Sequence, residues 1–193
     1  MATNSCFATL SALIYCQGTP VTPGIKRRAY LVPFSAIVKF PTLPVDELGR
    51  VNSAQYDGDF TLAEGQKWLP YDHLPAKGEF KSEVQGEEPS RTFKVSVSLV
   101  HPGIGPEAAA AATALLNTRV IALVEDMQGR FRVIGCEKYE GALVSPSRDN
   151  GQGATGSAAT TLSLEADDVA DAPFYSGPIV TEDGTINEAV SAS

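Results

Sequence analysis

The sequence predicts a mainly β (α+β) fold with one α-helix, and three stretches predict it. Phe93, Val95, Val97 and Leu99 alternate with Lys94, Ser96 and Ser98, the period-two signature of a strand with one buried face. Val120–Val124 is an unbroken apolar run, as expected of a strand covered on both faces. Between them lies HPGIGPEAAAAATALLN, a strong helix former. Pro106 suits the first helical position, Glu107 favours the positive end of the helix dipole, and alanine has the highest helix propensity.

Length and composition set the frame. At 193 residues the chain suits a single domain, 1–193, able to hide about 70% of its unfolded surface. Hydrophobic residues make up 43% and charged ones 20%, an ordinary globular balance. A formal net charge of −8 is repelled by phosphate backbones and argues against ordinary nucleic-acid binding; Lys26-Arg27-Arg28 is the dense basic exception. Cys6, Cys16 and Cys136 make an odd count without CxxC spacing, which speaks against a disulfide framework or a zinc site and for reduced thiols. The apolar run Cys6–Cys16 is too short to span a membrane, and it lacks the flanks of a signal peptide.

Taken in order, residues 1–24 read as an N-terminal arm. Phe7, Leu10, Leu13 and Ile14 recur at helical spacing, so a short packed helix competes with an extended segment there. Tyr30, Val32 and Phe34 then alternate as a strand, in which Pro33 argues for an edge position or a bulge. Prolines 41, 44, 70 and 75 and many Asp and Gly residues suggest loops around one or two short strands. Within them Trp68 reads as a core or interface anchor, and His73 as a surface or hydrogen-bonded histidine. GEFKSEV pairs with the strand after it through a charged turn, QGEEPS, making a projecting hairpin.

Leu115 and Leu116 serve as the larger anchors of the helix, and Asn117 ends it. After Val124, Gly129 marks a turn, and Phe131, Val133 and Ile134 form the return strand. Tyr139, Ala142, Leu143 and Val144 form a third strand. Residues 145–156 are polar and glycine-rich, expected as a long loop. Thr161–Glu165 alternates as a strand, Ile179 and Val180 pair near the end, and 182–193 is a flexible acidic tail.

Catalytic patterns are absent. Two histidines stand in no triad context, and there is no phosphate loop, dinucleotide fingerprint, HExxH or EF-hand spacing. Asp167, Asp168 and Asp171 read as a solvated turn, since a hard cation needs more oxygen ligands. Cys136 reads as a small buried hydrophobe. The expectation is a non-enzyme with no cofactor and no metal.

The order of parts in the second half carries a likeness. An apolar strand meets Glu125-Asp126 and Gly129, a return strand ends at Gly135, and a Gly-rich loop holds Gly153 and Gly156. An alternating strand then closes on Pro173-Phe174-Tyr175. This resembles the tail tube and related virion proteins of phages and prophages, especially those of Bacteroidetes hosts. The opening, with Cys16 and then Gly24-Ile25, is similar to the start of such proteins. The resemblance implies a tail-tube-like fold, an antiparallel β-sandwich or half-barrel flanked by one α-helix, whose copies form homo-oligomeric rings, stacked with other virion proteins into a conduit. Double-stranded DNA would pass through without specific binding, and the protein would belong to the virion, assembled in the host bacterial cytoplasm with no membrane partner. Another virion component (connector, tail terminator or head-decoration protein) and a small β-sandwich ligand-binding domain or enzyme are the alternatives. The interface candidates are Ser147, Arg148, Asp149, Asn150, Gly151, Gln152 and Gly153 in the loop, with Gln85, Glu87 and Glu88 at the hairpin tip.

Overall fold

Backbone hydrogen bonding orders the chain in the computed structural model, which describes residues 12–187. The strands are β1 (Ile25–Pro33), β2 (Ile37–Lys39), β3 (Thr61–Leu62), β4 (Leu69–Asp72), β5 (Glu79–Gln85) and β6 (Thr92–Pro102). Helix α1 (Pro106–Ala114) follows. Then come β7 (Arg119–Asp126), β8 (Phe131–Ile134), β9 (Ala142–Asp149), β10 (Ala159–Asp168), β11 (Phe174–Tyr175), β12 (Ile179–Thr181) and β13 (Gly184–Ile186). The main sheet runs β11-β8-β7-β9-β10-β6-β5, with β1 also on β7 and β4 on β1. Its pairs are antiparallel.

The sheet curls because its two long halves share one core. Ala29 and Leu31 of β1 and Val120, Ala122 and Val124 of β7 meet Val95, Val97 and Leu99 of β6 and Leu162, Leu164 and Ala166 of β10. Each such aliphatic side chain, once buried, contributes about 1.5–3 kcal/mol. The gap between β1 and β6 is bridged by two backbone bonds. His73 N–H donates to Arg27 O at 2.8 Å, and Leu74 N–H donates to Val100 O at 2.8 Å. The result is a half-barrel drawn almost closed.

β7 is buried on both faces, as its apolar run predicts, because a second core lies on its other side. Ile121 and Leu123 point there with Tyr30, Val32, Phe131 and Val133, under a cap made by the segment around Tyr56, Phe60 and Trp68 and by Tyr175 and Ile179. Phe60 is the hub of this cap. Its ring centroid lies 5.1 Å from Tyr175, 5.5 Å from Trp68, 5.7 Å from Phe40 and 6.1 Å from Tyr56. Trp68 is 1% exposed and is a core anchor. The Pro- and Gly-rich region is thus a lid over the back of the sheet, with β2 pairing β3 inside it.

Several expectations change. Pro33 lies in no bulge, since the register shift is earlier, between Ile25 and Ala29. It does have a neighbour on one side only: β4 pairs β1 over Arg28–Leu31, and Pro33, the last residue of β1, pairs Val120 of β7. The helix starts at Pro106 and stops before Asn117, which takes φ 58. Leu115 packs on the inner core but Leu116 is 59% exposed, since successive helical residues cannot share one face. Ser145–Asp149 is strand, not loop, paired with β10 out to Asp149 opposite Ala159. No residue of β9 from Ser145 to Asp149 is buried, so no apolar alternation announces the strand. In the tail, Gly184–Ile186 pairs back on Ile179–Thr181 and Ile186 packs on the second core; residues 188–193 lie outside the described residues. Phe7 and Leu10 also lie outside them, while Leu13 and Ile14 are exposed and in no helix.

Candidate functional site

The four strands β5-β6-β10-β9 form the part of the sheet with a free outer face. Their alternation sends Phe80, Val95, Val97, Leu162, Leu164 and Val144 inward, so the intervening residues must face out. In register, Glu79, Ser98, Ser163 and Ser145 make one row across the strands, and Lys81, Ser96, Glu165 and Leu143 make the next. Val100, Thr161 and Ser147 continue the face on the other side. The face stays open to solvent at Lys94, Leu143, Ser145, Ser147, Glu165 and Asp167. It is a broad surface of small hydroxyl side chains.

Its charges are unbalanced. The carboxylates of Glu79, Glu83, Asp149, Glu165 and Asp167 outnumber the ammonium groups of Lys81 and Lys94. Both lysines are already occupied, Lys81 with Glu79 at 2.9 Å and Lys94 with Glu165 at 2.9 Å. Each partner carboxylate holds its lysine above the ordinary value. The net field over the face is therefore negative.

Two hairpins leave this sheet in opposite directions. The β5–β6 tip lies beyond Gln85 and Thr92, and the β9–β10 tip lies beyond Asp149 and Ala159. Along β10, Asp168 stands opposite Phe93 and Ala159 opposite Pro102, so the tips flank the sheet from its two ends. The interface candidates therefore separate into two groups. Ser147, Arg148 and Asp149 are exposed residues of β9, and Asn150, Gly151, Gln152 and Gly153 belong to the tip. Within the tip, Asp149 Oδ1 accepts from Gly151 N–H at 2.8 Å; Arg148 donates to the Ile104 carbonyl and Lys77 Nζ donates to Ser157 Oγ at 3.0 Å, tying the tip to neighbouring segments. Glu87 and Glu88 are exposed at the other tip, where Ser90 N–H closes the turn on Glu87 O at 2.7 Å. Gln85 is not free: its amide donates to Asp167 Oδ1 at 2.6 Å and to Thr92 Oγ1 at 3.3 Å, fastening β5 across β6 to β10.

Among the described residues β5 is the outer strand of this sheet and pairs with β6 alone. Its outward backbone groups can accept another strand, and the alternating charges of Glu79, Lys81 and Glu83 restrict which one. Val84, 60% exposed, adds an apolar contact at that edge.

The buried polar groups fall in two separate places, His73 near the start of β5 and Asp168 with Cys136 at the end of β10. His73 was expected at the surface or hydrogen-bonded. It is 2% exposed, with neither ring nitrogen hydrogen-bonded among the described residues, and burial lowers its pKa. The tight approach of Gly78, where a Cβ would come within 2.9 Å of His73 Cε1, packs β5's approach onto the ring. Asp168 is likewise buried, not part of a solvated turn. Burial raises its pKa, while Oδ1 accepts from Val169 N–H at 2.6 Å and closes the chain after β10. Cys136 is buried, as expected, and its thiol is pushed up to about 11 by burial first and by Asp168 second. Among the described residues, no group of three or more His, Cys, Asp or Glu side chains is placed to hold a metal ion.

No family model matches the chain, and no curated protein or solved structure is similar enough to it to name a relative. The outer serine face escaped the sequence reading. Its signal was present in Lys94, Ser96 and Ser98, which registered as the wet side of one strand and not as part of a wall four strands wide.

Proposed function

We propose that this protein is a self-assembling structural subunit of a phage virion, most closely of the tail-tube kind that its sequence resembles. The observation that carries the reading is the four-stranded β5-β6-β10-β9 sheet, with one face on the core and the other open, small-residued and net acidic. Side by side in a ring, such sheets would line a channel whose wall repels phosphate and offers DNA few places to stick. The free β5 edge provides for joining sheets laterally, and tips at both ends provide for stacking. Edge pairing of this kind turns an aggregation hazard into ordered closure by rotational symmetry.

Sedimentation velocity across a concentration series, with negative-stain images of the same samples, tests this. Rings, stacked rings or tubes are the expected products. A species that stays monomeric at the highest soluble concentration overturns the proposal.

A further inference from the structure

Arg132 on β8 is a half-buried guanidinium held between two aromatic rings. Its Cζ lies 4.3 Å from the centroid of Phe174 and 5.2 Å from that of Phe80. Among the described residues it makes no ion pair and no hydrogen bond. Stacking satisfies the faces of a guanidinium but none of its five N–H donors, which lie in the plane. Arg132 borders a cavity of about 250 Å³ whose other walls include Ile25, Phe80, Val124, Gln128 and Arg130.

The nearby carboxylate is already committed. Asp126 Oδ2 accepts from Arg130 Nη2 at 2.8 Å and Nε at 3.0 Å, and Oδ1 accepts from the backbone N–H of Gln128 at 2.9 Å and of Arg130 at 3.0 Å. The cavity thus presents a rigid cationic fork at the end of an apolar wall. Its complement is a carboxylate on a short aliphatic stem, a glutamate side chain, better than a phosphate, which brings no apolar surface.

We propose that this cavity receives the acidic hairpin tip, Glu87-Glu88, of a second copy of the chain. Both glutamates are exposed, and neither has a salt-bridge partner among the described residues. The tip is convex and held by its own turn, where the pocket is concave. Phe80 in the pocket wall and Glu87 at the tip belong to one hairpin, about 23 Å apart at roughly 3.3 Å per extended residue. Pocket and tip are different patches of the molecule, so the contact is heterologous and repeats from copy to copy into a ring or an open filament. The inference rests on the self-assembly reading and names the contact that drives it.

The test is a charge swap in the full chain. Arg132→Glu, and separately Glu87→Arg with Glu88→Arg, each weaken self-association at least about tenfold in sedimentation velocity, and the three changes together restore it. Far-UV circular dichroism and Trp68 emission check that each variant folds. Arg132→Gln, which keeps a planar polar group, repeats the loss if the glutamate variant misfolds. Unchanged association in the single-site variants, or failure of the combined variant to recover, overturns the pocket–tip contact while leaving self-assembly standing. If the wild-type protein is monomeric throughout, the assembly reading fails by itself and the pocket is tested alone. A cyclised peptide of residues 85–90 is then titrated into labelled protein, with the Arg132 Nε–H resonance observed by NMR. A saturable shift that acetate does not reproduce supports the inference. No shift, or an equal one with acetate, overturns it.

Discussion

Phe60→Ala is the sharpest test of whether the cap is a true second core or a loosely laid cover. Phe60 is 9% exposed, and four aromatic rings, from Tyr175 at 5.1 Å to Tyr56 at 6.1 Å, surround it. Truncating a buried phenylalanine costs about 3–5 kcal/mol, the lost transfer energy plus the cavity left behind. Edge-on aromatic pairs add roughly 0.5–1.5 kcal/mol each, but they are lost together here and do not sum. A loss of about 4 kcal/mol is expected, a large share of the roughly 5–15 kcal/mol that holds a domain folded. At this chain length it lowers the melting midpoint by about 8–16 °C. The chain has 1 tryptophan, and Trp68 lies 5.5 Å from Phe60, so indole emission reports on the cap while far-UV circular dichroism reports on the sheet. In guanidinium the two signals should move together, with both midpoints lowered, and Phe60→Leu should fall between wild type and alanine. A loss below about 1 kcal/mol with unchanged Trp68 emission would refute the second core. Trp68 emission that shifts well before the dichroism would show a cap that detaches from the sheet.

Two further outcomes follow from the same geometry. The lowered pKa of His73, caused by burial, means that its contribution to stability is full above its ordinary value of 6.5 and is lost as pH falls through the folded value. Between pH 7 and 5 the wild-type protein should therefore lose stability that His73→Leu does not lose. Asp72 and Asp126, also lowered, act only near and below their ordinary 3.8. Equal losses in the two proteins over pH 7 to 5 would remove His73 from the account. Replacing the β9–β10 tip, residues 150–158, with Asn-Gly should cost under about 1 kcal/mol of stability, because the tip buries little and its bond to the rest of the fold, Lys77 Nζ to Ser157 Oγ, is exposed. It should nevertheless reduce assembly in sedimentation, and parallel losses of folding and assembly would sink the tip's role as an interface.

Much of the half-barrel was legible because its strands carry a period. Phe93 to Leu99 alternate and β6 follows; Val120 to Val124 do not alternate, and β7 is covered on both faces. Pro106 places the start of α1, which ends at Ala114, three residues short of Asn117. The cap was not legible, since Tyr56, Phe60 and Trp68 stand among prolines and glycines with no spacing to link them. Their partners, Tyr175 and Ile179, are more than a hundred residues away. The outer end of β9 was missed because none of its residues from Ser145 to Asp149 is buried, which gives it the composition of a loop. Of the candidate interface residues, Ser147, Arg148 and Asp149 lie in that strand and not in the loop, and Gln85 proved to be a fastening between strands. Arg132 gave no signal at all, because its two flanking rings come from β5 and β11, far apart in the chain.

The disposition of polar groups bears on the assembly proposal. Burial is the leading cause of the shifts at His73, Asp168, Tyr56 and Cys136, and Asp168 adds to those of Tyr56 and Cys136. His73 sits against the start of β5, whereas Asp168 and Cys136 stand at the far end of β10, inside the fold. Among the described residues, the solvent-facing features include a serine-rich face, the β5 edge, two opposed tips and the stacked guanidinium of Arg132, which makes no ion pair there. The proposal rests on these features, each of a kind that another copy of the chain can meet.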